Sequence, residues 1–460
     1  MAVVAPFRGV RYNPKKIEHL EDVVTPPYDV ISAEAGSELQ EKNPYSMINL
    51  DLRNTSQDDT EDDGRYQRAR SRFEAWQEDA VLIRDEQPAM YLYYIDYTHP
   101  SGKRMTRKGL VSLVGLAEFS EGIVKPHEKT FAGVISDRLE LMEECRAQFS
   151  QVFSIYSDPE HQVISELEKV REPEPICRVE DHNTNIHTLW RVMDKDALAA
   201  VHRFFAGDKA VYIADGHHRY TTALDCRRRA RERYPDLPAD SPYNYIMMYL
   251  CASEDEGLSV LPTHRLVNWP GAMSADQLTE KMGAGMRVSE VTVGARETLI
   301  AEVLNRMDEA EMDTGMPAFG VYHAGEDRAF LLRMQDGAAC AGGSLADKPE
   351  SLRDLDVVVL SDLLINDYLG LGHEQCVKEE LVGYFSDPDA ALDAAVKMSV
   401  LEDGHTPLLF LLNPTRVSQV ISVADSGEVM PHKSTYFYPK ITTGLLINKL
   451  VGDEKIVIPE

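Results

Sequence analysis

The chain has 460 residues, enough for roughly two to four domains of ordinary size, and 43% of them are hydrophobic, so material for a substantial core is present. Acidic residues number 76 against 48 basic ones, a net charge of −28 that turns most of the surface against phosphate backbones and excludes general nucleic-acid binding. No apolar run reaches the ~18 residues of a membrane span, and Met1 to Arg8 lacks the basic-then-apolar layout of a signal peptide, so the expected location is the cytoplasm, with no membrane partner.

In chain order, the first region, 1–155, opens with Pro6, Pro14, Pro26, Pro27 and Pro44, a turn-rich beginning. A helix is predicted from Gly64 to Asp79, with Phe73 and Trp76 on one face. Ala89 to Tyr97 is aromatic enough to be a strand, and a turn at His99 to Gly102 returns the chain through Arg107 to Glu118, which makes a hairpin. Ser136 to Val152 has helical periodicity.

In the second region, 156–285, helices are predicted at Val163 to Val170 and Asp194 to Phe205, with a strand at Ile186 to Val192 between them. Ala210 to Ala214 is a short apolar run of the kind a buried strand needs. Asp215-Gly216 breaks it, and Tyr220 to Tyr234 follows as a strong helix former. Arg227, Arg228, Arg229, Arg231 and Arg233 spread around that helix and are expected to form a solvated face. The third region, 286–460, offers a helix at Ala295 to Glu311, strands at Ala318 to His323, Ala329 to Met334 and Leu408 to Leu412, and an apolar helix at Leu355 to Tyr368. The three regions are expected to interlock. The six cysteines, Cys145, Cys177, Cys226, Cys251, Cys340 and Cys376, contain no Cys-x-x-Cys pair and are expected to be free thiols.

Four segments carry candidate chemistry. Asp215-Gly216-His217-His218-Arg219 stands between a strand and a helix, where free backbone N–H groups and the helix dipole favour an anion. Gly216 permits close approach, the imidazoles offer ring N–H groups, and Arg219 offers a planar fork matched to phosphate oxygens. Asp215 is a candidate for Mg²⁺ or for orienting a histidine. The competing reading is that the histidines merely cap a turn. A zinc site is disfavoured, because adjacent helical residues point about 100° apart, and neither a Gly-x-x-x-x-Gly-Lys-Ser/Thr loop nor a Gly-x-Gly-x-x-Gly fingerprint is present. Lys125-Pro126-His127-Glu128-Lys129-Thr130 is a loop suited to an anion or a substrate, or equally a solvated turn. In Thr25-Pro26-Pro27-Tyr28-Asp29 the prolines stiffen the chain around Asp29, a candidate general base or a plain turn residue. His432-Lys433-Ser434-Thr435 with Lys440 suits an anionic ligand, or an ordinary loop.

The stretches Pro6-Phe7-Arg8-Gly9, Pro26 to Ile31, Asn43-Pro44-Tyr45-Ser46, His127 to Thr130, Asp137-Arg138-Leu139, Ala214 to Tyr220 and Lys433 to Lys440 resemble the signatures of domain-of-unknown-function family 1015 and run in order across nearly the whole chain. Ala147 to Gln151 departs from the Ala-Asn-x-Ser-Pro pattern usual there. Asp-Gly-His-His-Arg is similar to the phosphate motif of the ParB/sulfiredoxin-like superfamily, which includes free-serine kinases. That resemblance implies an α/β fold of mixed sheets, with a nucleotide-binding core and added strands and helices. It implies phosphoryl transfer from ATP or ADP, with Mg²⁺, to the hydroxyl of a small metabolite such as L-serine. Gly216, His217, His218 and Arg219 would then grip phosphates beside Asp215. Asp29 and His218 are the catalytic candidates, although the kinases use a glutamate and Glu18 and Glu34 lie nearby. The acceptor would be bound from among His127, Glu128, Lys129, Lys433, Ser434, Thr435 and Lys125. A nucleotide-binding regulator without transfer chemistry and a phosphoester hydrolase are the alternatives, and a homo-oligomer is compatible with all three.

Overall fold

The computed structural model describes residues 1–51, 64–207, 209–293, 298–335, 343–400 and 404–460. Strands and helices mix throughout, as expected of an α/β fold with mixed sheets. The chain divides into two compact units, the first comprising Met1–Pro126, Thr130–Ser259 and Pro439–Glu460, the second His127–Lys129 and Val260–Tyr438.

The first unit is built on a nine-stranded sheet. Its strands are β1 (Val4–Ala5), β2 (Met90–Thr98), β3 (Arg104–Gly115), β4 (Val124–Lys125), β5 (Val152–Tyr156), β6 (Cys177–Glu180), β7 (Ile186–Val192), β8 (Val211–Asp215) and β9 (Tyr245–Ala252). The spatial order is β4-β8-β5-β9-β3-β2-β7-β6, with β1 added to β3. The β8–β4 and β9–β5 pairs are parallel and the rest antiparallel. The hairpin of β2 and β3 runs from Tyr91 opposite Val111 to Thr98 opposite Arg104, as its aromatic content and turn predict.

Because side chains alternate across a strand, Met90, Leu92 and Tyr94 face one core with Leu110, Ile246, Met248 and Leu250. Tyr91, Tyr93 and Tyr249 are buried as well, so β2 and β9 read as continuous apolar runs rather than alternating ones. The helices of this unit include α1 (Gly64–Glu78), α2 (Ala132–Cys145), α3 (Gln162–Val170), α4 (Lys195–Ala206) and α5 (His217–Arg233). Helix α2 packs on both α1 and α5.

Several expectations need correction. The helix expected over Ser136 to Val152 starts at Ala132 and stops at Cys145, where Arg146 turns left-handed with φ 47°. Beyond it, Gln148 binds the Tyr245 carbonyl and the Met247 N–H, and the β-branched and aromatic run Val152 to Tyr156 becomes a central strand. Helix α5 starts at His217 instead of Tyr220, so both histidines and Arg219 occupy its first turn. Arg227 is not solvated: it is buried and donates to the Leu116 carbonyl and to Glu118.

The end of the chain completes this unit. Thr25 and Thr443 exchange backbone hydrogen bonds at 3.1 and 2.8 Å, Val10 and Ile447 do so at 2.9 and 2.8 Å, and Leu445, Leu446, Ile447 and Leu450 are buried.

The second unit holds a six-stranded antiparallel sheet of β10 (His264–Trp269), β11 (Met286–Val291), β12 (Ala318–His323), β13 (Arg328–Met334), β14 (Val382–Phe385) and β15 (Thr406–Leu412), in the order β11-β13-β12-β15-β10-β14. Helices α6 (Leu299–Thr314) and α7 (Pro388–Ser399) contribute Val303, Met307, Ala391 and Ala395 to a core with Leu266, Leu331, Leu409 and Leu411. The first residues of the helix expected from Ala295 lie outside the described residues, as does Cys340. The other five cysteines are free thiols. The apolar helix expected over Leu355 to Tyr368 is a short α-turn, Asp356–Val358, running into a ten-residue π-helix, Val359–Tyr368. Among the described residues no helix is long and apolar enough to cross a membrane.

Close packing of the first sheet gives a stability prediction. A Cβ on Gly109 would fall 2.3 Å from Tyr249 Cζ, so Gly109→Ala is expected to lower the free energy of urea unfolding by about 1–3 kcal/mol. An unchanged unfolding midpoint would contradict this packing.

Candidate functional site

The corner between β8 and α5 is shaped by backbone first. The register of β8 against β5 shifts between Ile213 and Asp215, a bulge that re-aims the chain at its exit. Gly216 follows with φ 95°, and a Cβ there would fall 2.8 Å from Arg219 Nε. Only glycine fits both the torsion and the space. As the helix N-cap it offers no side-chain acceptor. The Tyr220 N–H closes the first turn onto the Gly216 carbonyl at 3.0 Å. The N–H groups ahead of Tyr220 therefore have no partner within the helix and lie at its positive end.

Asp215 is clamped between two cations. Lys440 Nζ donates to its Oδ1 at 2.5 Å, and Arg219 Nη2 donates to its Oδ2 at 2.6 Å. Arg219 also donates through Nη1 to the Gln151 carbonyl and is only 9% exposed. Burial alone would raise the Asp215 pKa, but Lys440 and Arg219 overcome it and hold the carboxyl far below its ordinary range. Burial likewise opposes the charge on Arg219, and the carboxylates of Asp215, Asp29 and Asp51 overcome it and raise its pKa.

The two histidines differ. His217 is buried, whereas His218 is half-buried and its Nε2 accepts the Phe131 N–H at 3.0 Å. A ring nitrogen that accepts an N–H carries a lone pair, so His218 in this arrangement is the neutral tautomer with its proton on Nδ1. The Phe131 ring, 49% exposed, stacks on the His218 ring with centroids 5.7 Å apart and planes at 21°.

A second layer of charge lies beside Arg219. Arg138 donates to Asp51 Oδ1 at 3.1 Å, to the Asp51 carbonyl at 2.6 Å and to Asp137 at 2.8 Å, and its guanidinium sits 4.4 Å from the centroid of the Tyr28 ring. Burial pushes the Tyr28 phenol up to about 12 and raises the Asp51 carboxyl, against the pull of Arg138 and Arg219 on both. Asp29 is an exposed turn residue in Tyr28–Val30, within electrostatic reach of Arg219. Sequence reasoning assigned no chemistry to Asp51 or Arg138. The Asp137-Arg138-Leu139 stretch was the available signal for Arg138.

Of the remaining sequence candidates, Lys125 ends β4 of the first unit, and the others lie in the second unit. His127 is fully buried, and its Nε2 meets Thr435 Oγ1 at 3.0 Å. Ser434 Oγ donates to the Pro431 carbonyl at 2.6 Å, and the Lys433 carbonyl accepts from Arg265 Nη2 at 2.9 Å. Glu128 forms a bridge with Met430, and Lys129 is exposed. These bonds hold His127–Lys129 on the 430–435 segment, so His127, Ser434 and Thr435 act there as internal fasteners.

Mg²⁺ does not fit Asp215 as arranged, because both carboxylate oxygens are taken by an ammonium and a guanidinium. Among the described residues no group of three or more His, Cys, Asp or Glu side chains is disposed to hold a metal ion.

A family model described as "Protein of unknown function (DUF1015)" matches residues 4–358. A search of curated proteins finds no match. Among solved structures, a free serine kinase in complex with AMP is 12% identical, with 72% of this chain and 90% of that one covered at a TM-score of 0.33. A conserved hypothetical protein from Pyrococcus furiosus is 13% identical, covering 73% and 96% at 0.33. SbnI from Staphylococcus aureus, truncated at its C-terminus, is 9% identical, covering 75% and 90% at 0.31.

Two outcomes test the corner. Gly216→Ala is expected to destabilise the fold by about 1–3 kcal/mol, read by chemical denaturation, because it combines a left-handed torsion with a clash. Asp215→Asn strands two buried cations and is expected to cost about 3–5 kcal/mol. The folded pKa of Asp215 lies below its unfolded value. Its stabilisation is therefore complete above the unfolded value of about 3.9 and is lost as pH falls toward the depressed folded one. Denaturation midpoints measured from pH 6 down to pH 3 should fall more steeply for the native chain than for Asp215→Asn, and parallel curves would refute the clamp.

Proposed function

We propose that this chain, which belongs to the DUF1015 family, binds a nucleotide by its phosphates at the start of α5 and transfers a phosphoryl group to the hydroxyl of a small metabolite. The observation that supports the reading most is the glycine-capped helix start standing beside two cations that share one carboxylate. Lys440 and Arg219 leave one positive charge over Asp215. The helix end adds roughly half a charge more, and backbone N–H groups there suit phosphate oxygens.

In this reading the His218 ring, held through its Nε2 by the Phe131 N–H, stands at the phosphate end of the helix. His217 and Gly216 shape the cradle. Arg219 keeps its bonds to Asp215 and to the Gln151 carbonyl, so it acts by charge and by fixing the helix start. Asp29, exposed and near Arg219, is the candidate carboxylate for receiving the proton of the acceptor hydroxyl. Catalysis here is positioning and charge compensation, which is what phosphoryl transfer asks of a protein. Any Mg²⁺ that accompanies the nucleotide is expected on its phosphates, and Asp215 is not its ligand. The resemblance of the Asp-Gly-His-His-Arg motif makes L-serine the first acceptor to test.

The test is calorimetric titration with ADP and ATP, followed by incubation of the nucleotide with a panel of hydroxylated metabolites and detection of phosphorylated product. His218→Ala is expected to weaken nucleotide binding about tenfold, or about 1.4 kcal/mol, with the fold retained. Binding without product supports the regulator, phosphate release without an acceptor supports the hydrolase, and an absence of nucleotide binding ends the proposal.

A further inference from the structure

Beside Arg219 the first unit holds a partly open cavity of about 40 Å³ whose wall joins the polar Asp51, Arg138, Arg219 and Thr222 to apolar residues such as Met142 and Phe149. That is room for about three waters, or for the end of a small ligand of a few heavy atoms. Two of its lining groups are buried without a hydrogen-bond partner among the described residues. One is Asp51 Oδ2, on a residue only 6% exposed, and the other is Thr222 Oγ1, on a residue with no exposure. Buried, orphaned polar atoms on residues that line a cavity call for an occupant that supplies their hydrogen bonds. Asp51 Oδ1 is already engaged by Arg138 at 3.1 Å, so the unmet demand is a donor for Oδ2 and a partner for the threonine hydroxyl.

The charges select the kind of donor. The guanidinium groups of Arg138 and Arg219 line the same cavity and would repel an ammonium, whereas a neutral hydroxyl meets no such penalty and can donate to Asp51 while accepting from Thr222. Burial raises the Asp51 carboxyl, and Arg138 and Arg219 oppose that rise without cancelling it. We infer that this cavity is the acceptor subsite of the proposed transferase, and that it recognises the hydroxyl of a small hydroxylated metabolite through Asp51 and Thr222, so that in this pose the proton released on transfer passes to Asp51 in place of Asp29. The inference rests on the phosphate reading of the neighbouring corner for its role, and on the two orphaned atoms for its chemistry.

The experiment titrates the full chain, with and without ADP, using L-serine and D-glycerate against their hydroxyl-free counterparts L-alanine and propionate. At least one hydroxylated probe is expected to bind tenfold or more tightly than its counterpart, because a site built to hydrogen-bond a hydroxyl rejects the analogue that lacks it. Asp51→Asn is expected to weaken that binding about tenfold with ADP affinity unchanged. Thr222→Val, which touches no ion pair and so keeps the test alive if the first variant misfolds, is expected to do the same. Equal affinity for the paired probes, binding of none of them (water as the sole occupant), or undiminished binding in a folded Thr222→Val chain would overturn the inference. Hydroxyl selectivity without ADP binding would uphold the subsite and sink the phosphate reading, and ADP binding without hydroxyl selectivity would do the reverse.

Discussion

One carboxylate governs the candidate site. Asp215 accepts from Lys440 on one oxygen and from Arg219 on the other, and the placement of the Arg219 side chain follows from that arrangement. With Arg219 tied to Asp215, its second nitrogen reaches the Gln151 carbonyl and pins the first turn of α5 to the chain entering β5. Gly216 then has no room for a side chain, because the Arg219 guanidinium lies where its Cβ would be. A buried pair of this kind adds little net stability compared with apolar packing, yet losing one partner is expensive. Its contribution is to specify one geometry: strand exit, helix start and the returning segment fit together in a single way.

The sequence reveals much of this scaffold and little of its wiring. The apolar run before Asp215, the glycine break and the helix-forming run after it announce a strand, a turn and a helix, because each element has its own local pattern. The hairpin at residues 90–115 is legible for the same reason. The early end of α2 is not, since helical periodicity carries on past Cys145, and only the tertiary use of Gln148 and of the Val152 to Tyr156 run explains the break. Local pattern also misjudges Arg227, which belongs to a charged run but finds a carbonyl and Glu118 indoors.

Contacts between distant residues are where reading fails most. No spacing rule connects Lys440 to Asp215, 225 positions apart, or His127 to Thr435, 308 apart. The polar segment around Lys433 looked like a ligand grip because its residues are rich in donors, and the structure satisfies several of those donors within the second unit. Asp51 had no motif to advertise it. Its interest comes from an oxygen left over after Arg138 has taken the other, a property that exists only in three dimensions.

The reach from Asp215 to Lys440 also sets a schedule. During synthesis Asp215 leaves the ribosome well before Lys440 is added, by roughly ten to forty-five seconds at ordinary elongation rates. For that interval Arg219 is the only one of the two cations available to the carboxylate. A nascent or prematurely terminated chain can build most of the first sheet yet hold an unfinished corner. The clamp thus works as a timer, in which a segment made 225 positions later brings the second cation to a carboxylate already in place.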